Sequence, residues 1–191
     1  MNGTLRPPPG TYTGPIVISK PITLDGQNKV TIDGAGEGTV LTVRADNTTI
    51  KGLQLRGSGE SYDAMDAGLM IEADGVLVEG NTLDNVLFGI HIKQGNENTI
   101  RDNDISSKPF TSSLRGEGLR IWYGHDNLIE NNTFTMCGTC CLAMRPRIVS
   151  LAIDCMIIAS AWSLSILTRM RSGITISVIM IQASLLSTRT T

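Results

Sequence analysis

The sequence predicts an all-β protein, a right-handed parallel β-helix with coils of about 22–29 residues, and three observations predict it. First, four segments superpose without gaps: TTIKGLQL ending at Leu55, VLVEGNTL at Leu83, NTIRDNDI at Ile105 and NLIENNTF at Phe134. Their equivalent residues Ile50, Val78, Ile100 and Ile129 are spaced by 28, 22 and 29. Second, apolar and polar residues alternate with period two, which is the period of a strand. No sustained 3.6-residue stripe precedes residue 137. Third, Asn81, Asn103 and Asn132 fall at the same point of successive coils. Asn tolerates left-handed backbone angles, and its amide can bond the copy one coil away, so this stack is predicted to be structural.

The elements follow in order. A Pro-rich lead-in, TLRPPPGTY, precedes less regular starting strands in PITLDGQ, VTIDGAG and VLTVRA. The aligned set above then alternates with a second set, AGLMI from Ala67, FGIHI from Phe88 and EGLRI from Glu117. Leu83 to Gly89 is 6 residues, whereas Leu55 to Gly68 and Ile105 to Gly118 are both 13. The insertions RGSGESYDAMDA and SSKPFTSSLRGE therefore leave from one corner, two coils apart. Such insertions are either tolerated loops or the binding face of a solenoid.

Composition narrows the function. The 191 residues are 41% apolar and 18% charged with a net charge of −2, which excludes a disordered chain and a basic nucleic-acid binder. Aromatics are only 4% against 20 Gly, in keeping with short similar strands and tight turns. These averages conceal a break. Residues 1–136 carry a charge of −6 and residues 137–191 carry +4; all four Cys lie in the second part, which has no Asn. The expected organisation is thus an incomplete β-helix at 1–136 and an aberrant tail at 137–191.

The run GTLRPPPGTYTGPIVISKPITLDG, then VTIDGAGEGTVLTV, DAGLMI, LFGIHI, the ISSKP loop and LRIWYGHDNLIENNTF resembles the NosD family. These are periplasmic copper-handling accessory proteins of nitrous oxide reductase, within the β-helical carbohydrate-binding and sugar-hydrolase domains. The resemblance covers about residues 3–136. It implies a scaffold rather than an enzyme. It also implies copper as transient cargo, and as partners the ATPase and membrane subunits of an ABC transporter, a lipoprotein copper chaperone and nitrous oxide reductase. The location implied is periplasmic, although Met1 is followed by no visible secretory leader.

The tail has two readings. Residues 148–167 form a 20-residue run with the single charge Asp154, a membrane-segment candidate on hydropathy. Alternatively the tail is out of frame. Joining the third base of each codon to the next two, Leu151 through Ile158 are compatible with GNRLHDN, against EGNTLDN at Glu79–Asn85. Ser177 through Ile181 similarly permit GNND. On that reading Cys137, Cys140 and Cys141 are accidents of frame rather than a metal or redox set, and an uncapped β-helix end is expected to associate.

Alternation also places candidate site residues. If Leu69 and Ile71 point inward, Met70 points outward to solvent, and likewise His91 and Arg120. Met thioether and His imidazole suit copper(I), so Met70 and His91 are the candidate ligands, with Met65 on the first insertion as a third. Trp122, with Tyr62, Asp63 and Asp66, is the candidate partner-binding set; Trp122 could equally stack a sugar. His125 in GHDN is expected to bond locally. Glycosidases need paired carboxylates, and the Met–His–Arg row has none in register. A carbohydrate-binding or carbohydrate-cleaving protein is therefore the alternative reading, and a nonfunctional fragment of a broken gene the third.

Overall fold

A computed structural model describes residues 3–139, 141–144, 147–154 and 174–177. The strands, in chain order, are β1 (Gly3–Leu5), β2 (Gly10–Thr13), β3 (Ile16–Ile18), β4 (Ile22–Asp33), β5 (Leu41–Val43) and β6 (Thr49–Arg56). Next come β7 (Ala67–Ile71), β8 (Leu77–Glu79), β9 (Thr82–Val86), β10 (Phe88–Lys93), β11 (Thr99–Arg101) and β12 (Asp104–Ser107). A 3-10 turn at Ser112–Leu114 precedes β13 (Leu119–Trp122) and β14 (His125–Thr135). The last described strands are β15 (Cys141–Met144), β16 (Arg147–Asp154) and β17 (Ile174–Ser177). All pair in parallel, as a solenoid of about five turns.

The aligned segments stack in the register read from the repeats. Ile50, Val78, Ile100 and Ile129 are successive Cα partners, as are Leu55, Leu83, Ile105 and Phe134. The second set stacks as β3–β5–β7–β10–β13–β15, with Leu41, Leu69, Ile90 and Leu119 in one inward row and Val43, Ile71, Ile92 and Ile121 in the next. Every member of these four rows is buried. One core runs the length of the coils because each rung repeats the same branched apolar side chains, and burial of each contributes about 1.5–3 kcal/mol.

Asn81, Asn103 and Asn132 form a buried ladder. The Asn81 backbone N–H donates to Asn103 Oδ1 at 3.0 Å and that of Asn103 to Asn132 Oδ1 at 3.0 Å. Their side-chain amides donate to the carbonyls of Ile50, Val78 and Ile100. A second ladder joins Asn98 and Asn127, whose Oδ1 atoms accept from Val76 N and Asn98 N. At a third corner Asp46, Asp74 and Asn96 accept in turn from the backbone of Asp74, Asn96 and His125.

Backbone pairing crosses the compositional break expected at 136/137. Leu119 pairs with Cys141, Ile129 with Leu151 and Leu151 with Ile174. Residues 148–154 of the apolar run are thus extended strand, while residues 155–167 and Cys140 lie outside the described residues. Among the described residues no helix is long and apolar enough to cross a membrane. Cys137 packs against the core, and burial pushes its thiol up to about 11.

Candidate functional site

Three further rows run along β7, β10 and β13 and their ends. Gly68, Gly89 and Gly118 come first, at the corner, where an added Cβ would turn inward onto Leu83, Ile105 and Phe134. A Cβ on Gly89 would overlap the Gly118 carbonyl oxygen, so this row allows the coils to approach closely. Met70, His91 and Arg120 follow as successive register partners, with Thr42 before them and Leu142 after. Glu72, Lys93 and Trp122 come third.

The middle row departs from the sequence expectation of a solvent-facing strand. His91 is 5% exposed and Met70 9%. Neither ring nitrogen of His91 has a hydrogen-bond partner, nor have Arg120 Nε and Glu117 Oε2. Burial pushes the His91 pKa down to about 4, with Arg120 and Lys93 adding to it, so the ring is neutral near pH 7 with one nitrogen lone pair free. The Arg120 guanidinium lies 4.9 Å from the Trp122 ring centroid, 6.0 Å from that of Phe88, and 3.5 Å from Glu117 Oε2.

The two insertions join one another at the corner that precedes these strands. The Tyr62 hydroxyl donates to the Leu114 carbonyl, and Lys108 Nζ reaches Glu60 Oε1 at 3.3 Å, so the two loops join across the short corner between them. Beneath lies a small apolar cluster of Ala67, Leu87 and Phe88, with Met65 and Phe110 against it. The third candidate ligand, Met65, is therefore packed in that cluster. Asp66 is buried, and its Oδ2 accepts from Ser61 N at 2.9 Å, closing the first insertion internally. Tyr62 stays 41% exposed, edge-on to Phe88, and Asp63 is exposed. Trp122 is half-buried, edge-on to the exposed Tyr123. His125 bonds locally through Nδ1 to Asp126 Oδ2 at 3.0 Å.

Met70 and His91 place a thioether and an imidazole on adjacent coils, whose backbones run about 4.8 Å apart. Among the described residues no group of three or more His, Cys, Asp or Glu could hold a metal.

The coils and their register define a β-helix protein, and the comparisons agree: the chain belongs to the family of the right handed beta helix region, which matches residues 25–176. Within it the chain is NosD-like. The "Probable ABC transporter binding protein NosD" of Pseudomonas aeruginosa is 29% identical over 126 residues, covering 64% of this chain and 29% of that protein. Its namesake in Stutzerimonas stutzeri is 25% identical over 120 residues, covering 61% and 28%. The chain therefore spans less than a third of these relatives. An alginate lyase from Paenibacillus sp. str. FPU-7 superposes with a TM-score of 0.57 at 17% identity, over 81% of this chain and 68% of that one, a likeness of fold alone.

Proposed function

We propose that this chain is the β-helix part of an accessory protein that supports copper delivery to nitrous oxide reductase, a periplasmic scaffold beside an ABC transporter rather than an enzyme. The likeness to proteins named as ABC transporter binding proteins supports the setting. The observation that carries the copper reading is His91, buried, neutral and unpartnered, in register with Met70. An imidazole nitrogen and a thioether are both acceptable to copper(I), the thioether being the softer donor. The joined insertions, with Tyr62, Asp63 and Trp122 on or beside them, form the face offered to the partners: the ATPase and membrane subunits, the lipoprotein copper chaperone and the reductase. Titration of the full chain with copper(I) against a chromophoric chelator tests the reading. One equivalent bound, lost in both His91→Leu and Met70→Leu, is expected; binding unchanged in both variants overturns it.

One observation favours a second reading, that the tail is read out of frame and activity belongs to the intact gene. The position after Asn132 on its ladder is Ile153. In the shifted frame the codon straddling Ala152 and Ile153 is compatible with Asn, which would supply the next rung. The nucleotide sequence of the coding and downstream region tests this. A shifted frame open past Thr191 into further repeats supports it. Early stops in that frame sink it and return Cys137, Cys140 and Cys141 as candidate ligands.

A further inference from the structure

We propose that Arg120 sets which cations the Met70–His91 pair accepts, its fixed positive charge favouring a monocation over a dication. This rests on the copper reading above and adds to it a determinant of selectivity.

Arg120 is the Cα partner of His91 on the following coil, so its side chain starts about 4.8 Å from the imidazole-bearing residue. An arginine on an open sheet face would swing its guanidinium into water. Here the group is held. The Trp122 ring is 4.9 Å from it and the Phe88 ring 6.0 Å, and its Nε is buried without a hydrogen-bond partner. Glu117 is the nearby carboxylate, with Oε2 at 3.5 Å from Arg120 Nη1, yet that oxygen makes no hydrogen bond. The charge is thus immobilised, drawn out of water and incompletely compensated, a combination under which Coulomb interactions weaken least.

In the neighbouring row Lys93 adds to this positive charge at His91 and Glu72 offsets part of it. Lys93, two residues beyond His91, is committed to Glu72, which is shared with Arg44. No carboxylate belongs to the Met70–His91–Arg120 row to offset the charge of a bound ion. A cation between Met70 and His91 consequently meets net positive potential from Arg120. The repulsion is proportional to the ion's charge, so the factor by which it weakens a dication is the square of the factor for a monocation. With unit charges about 7 Å apart, one and a half coil spacings, and partial compensation by Glu117, that factor is on the order of tenfold for copper(I), and so about a hundredfold for zinc(II).

The test uses the full chain and two chelator competitions, one for copper(I) and one for zinc(II); such competitions work on associated as well as monomeric protein. Arg120→Leu removes the charge and is expected to raise copper(I) affinity about tenfold and zinc(II) affinity about a hundredfold. Arg120→Lys, which keeps a charge, is expected to stay within a few-fold of wild type for both. Glu117→Gln, which strips the compensation and leaves Arg120 in place, is expected to lower both affinities, zinc(II) more. If wild type binds copper(I) and neither the Arg120→Leu nor the Glu117→Gln change alters the zinc-to-copper ratio, Arg120 does not select and the copper reading survives alone. If neither wild type nor Arg120→Leu binds copper(I), the copper reading fails and takes this inference with it.

Discussion

Two rows on the outer face of β7, β10 and β13 lie two residues apart and behave oppositely. In one, Arg44 donates to Glu72 at 3.0 Å and Lys93 to Glu72 at 3.1 Å, all part-exposed. These partners, with Lys93 first, hold the Glu72 carboxyl below its usual range. In the other, Met70, His91 and Arg120 are withdrawn from water, with polar atoms left unpaired. The same strands and the same register produce both. Orientation with respect to the coil is therefore a different property from contact with water. Charges in the open row find partners because neighbouring coils bring opposite signs together, whereas the covered row juxtaposes Met, His and Arg, which cannot pair. Unpaired buried polar atoms cost about 1–3 kcal/mol each, so the covered row lowers stability where the open row adds a little.

The contrast can be broken or sharpened in four ways, from the largest effect down. Gly89→Ala forces a methyl group against the Gly118 carbonyl and Ile105, pushing apart the coils that carry the covered row. A loss of about 3 kcal/mol or more is expected in urea unfolding. The second lever is pH. His91 has a folded pKa of about 4, against about 6.5 unfolded. The unfolded chain therefore binds more protons between these values, and stability falls as pH drops from about 6.5 to 4. The loss is up to about 3 kcal/mol. Thermal melts of wild type and His91→Leu should diverge as pH falls from about 6.5 to 4, in favour of the variant, and run parallel above pH 7. Third, at pH 7 His91→Leu itself should stabilise by about 1–2 kcal/mol, because an apolar side chain replaces an unpaired polar one; a destabilised variant would mean that the ring is satisfied in solution. Smallest is Arg44→Ala in the open row, expected to cost at most about 0.5 kcal/mol and less in high salt.

Much of this architecture was legible in the residues. Spacings of 28, 22 and 29 fix the register of Ile50, Val78, Ile100 and Ile129, because parallel coils can stack apolar rungs in only one phase. The Asn81–Asn103–Asn132 ladder was equally readable. Two further ladders were missed although they carry the same signal: Asp46, Asp74, Asn96 and His125 repeat the same three spacings, and Asn98 to Asn127 repeats the last. The burial of His91 was not legible, since alternation reports which way a side chain leaves its strand and is silent on what folds over it. The internal use of Asp66 was hidden for a related reason: a carboxylate that closes its own loop has the same sequence signature as one offered to a partner. Nor did composition foretell that pairing continues into β15, β16 and β17, because backbone ladders tolerate many side chains.

The corner ladders also have a direction. The backbone N–H groups of Asn81 and Asn103 donate to side-chain oxygens of the coil that follows, as those of Val76 and Asn98 do, whereas those of Asp74, Asn96 and His125 donate to side-chain oxygens of the coil that precedes. On a ribosome the two kinds of corner mature at different moments. The side-chain bonds of the Asp74, Asn96 and His125 corner can close as soon as its own residues emerge, but the backbone N–H groups of Asn81, Asn103, Val76 and Asn98 wait for about another coil of chain. Assembly from the amino terminus therefore proceeds with one turn always half-finished, held on one side and open on the other, and each new coil completes its predecessor before it is itself complete.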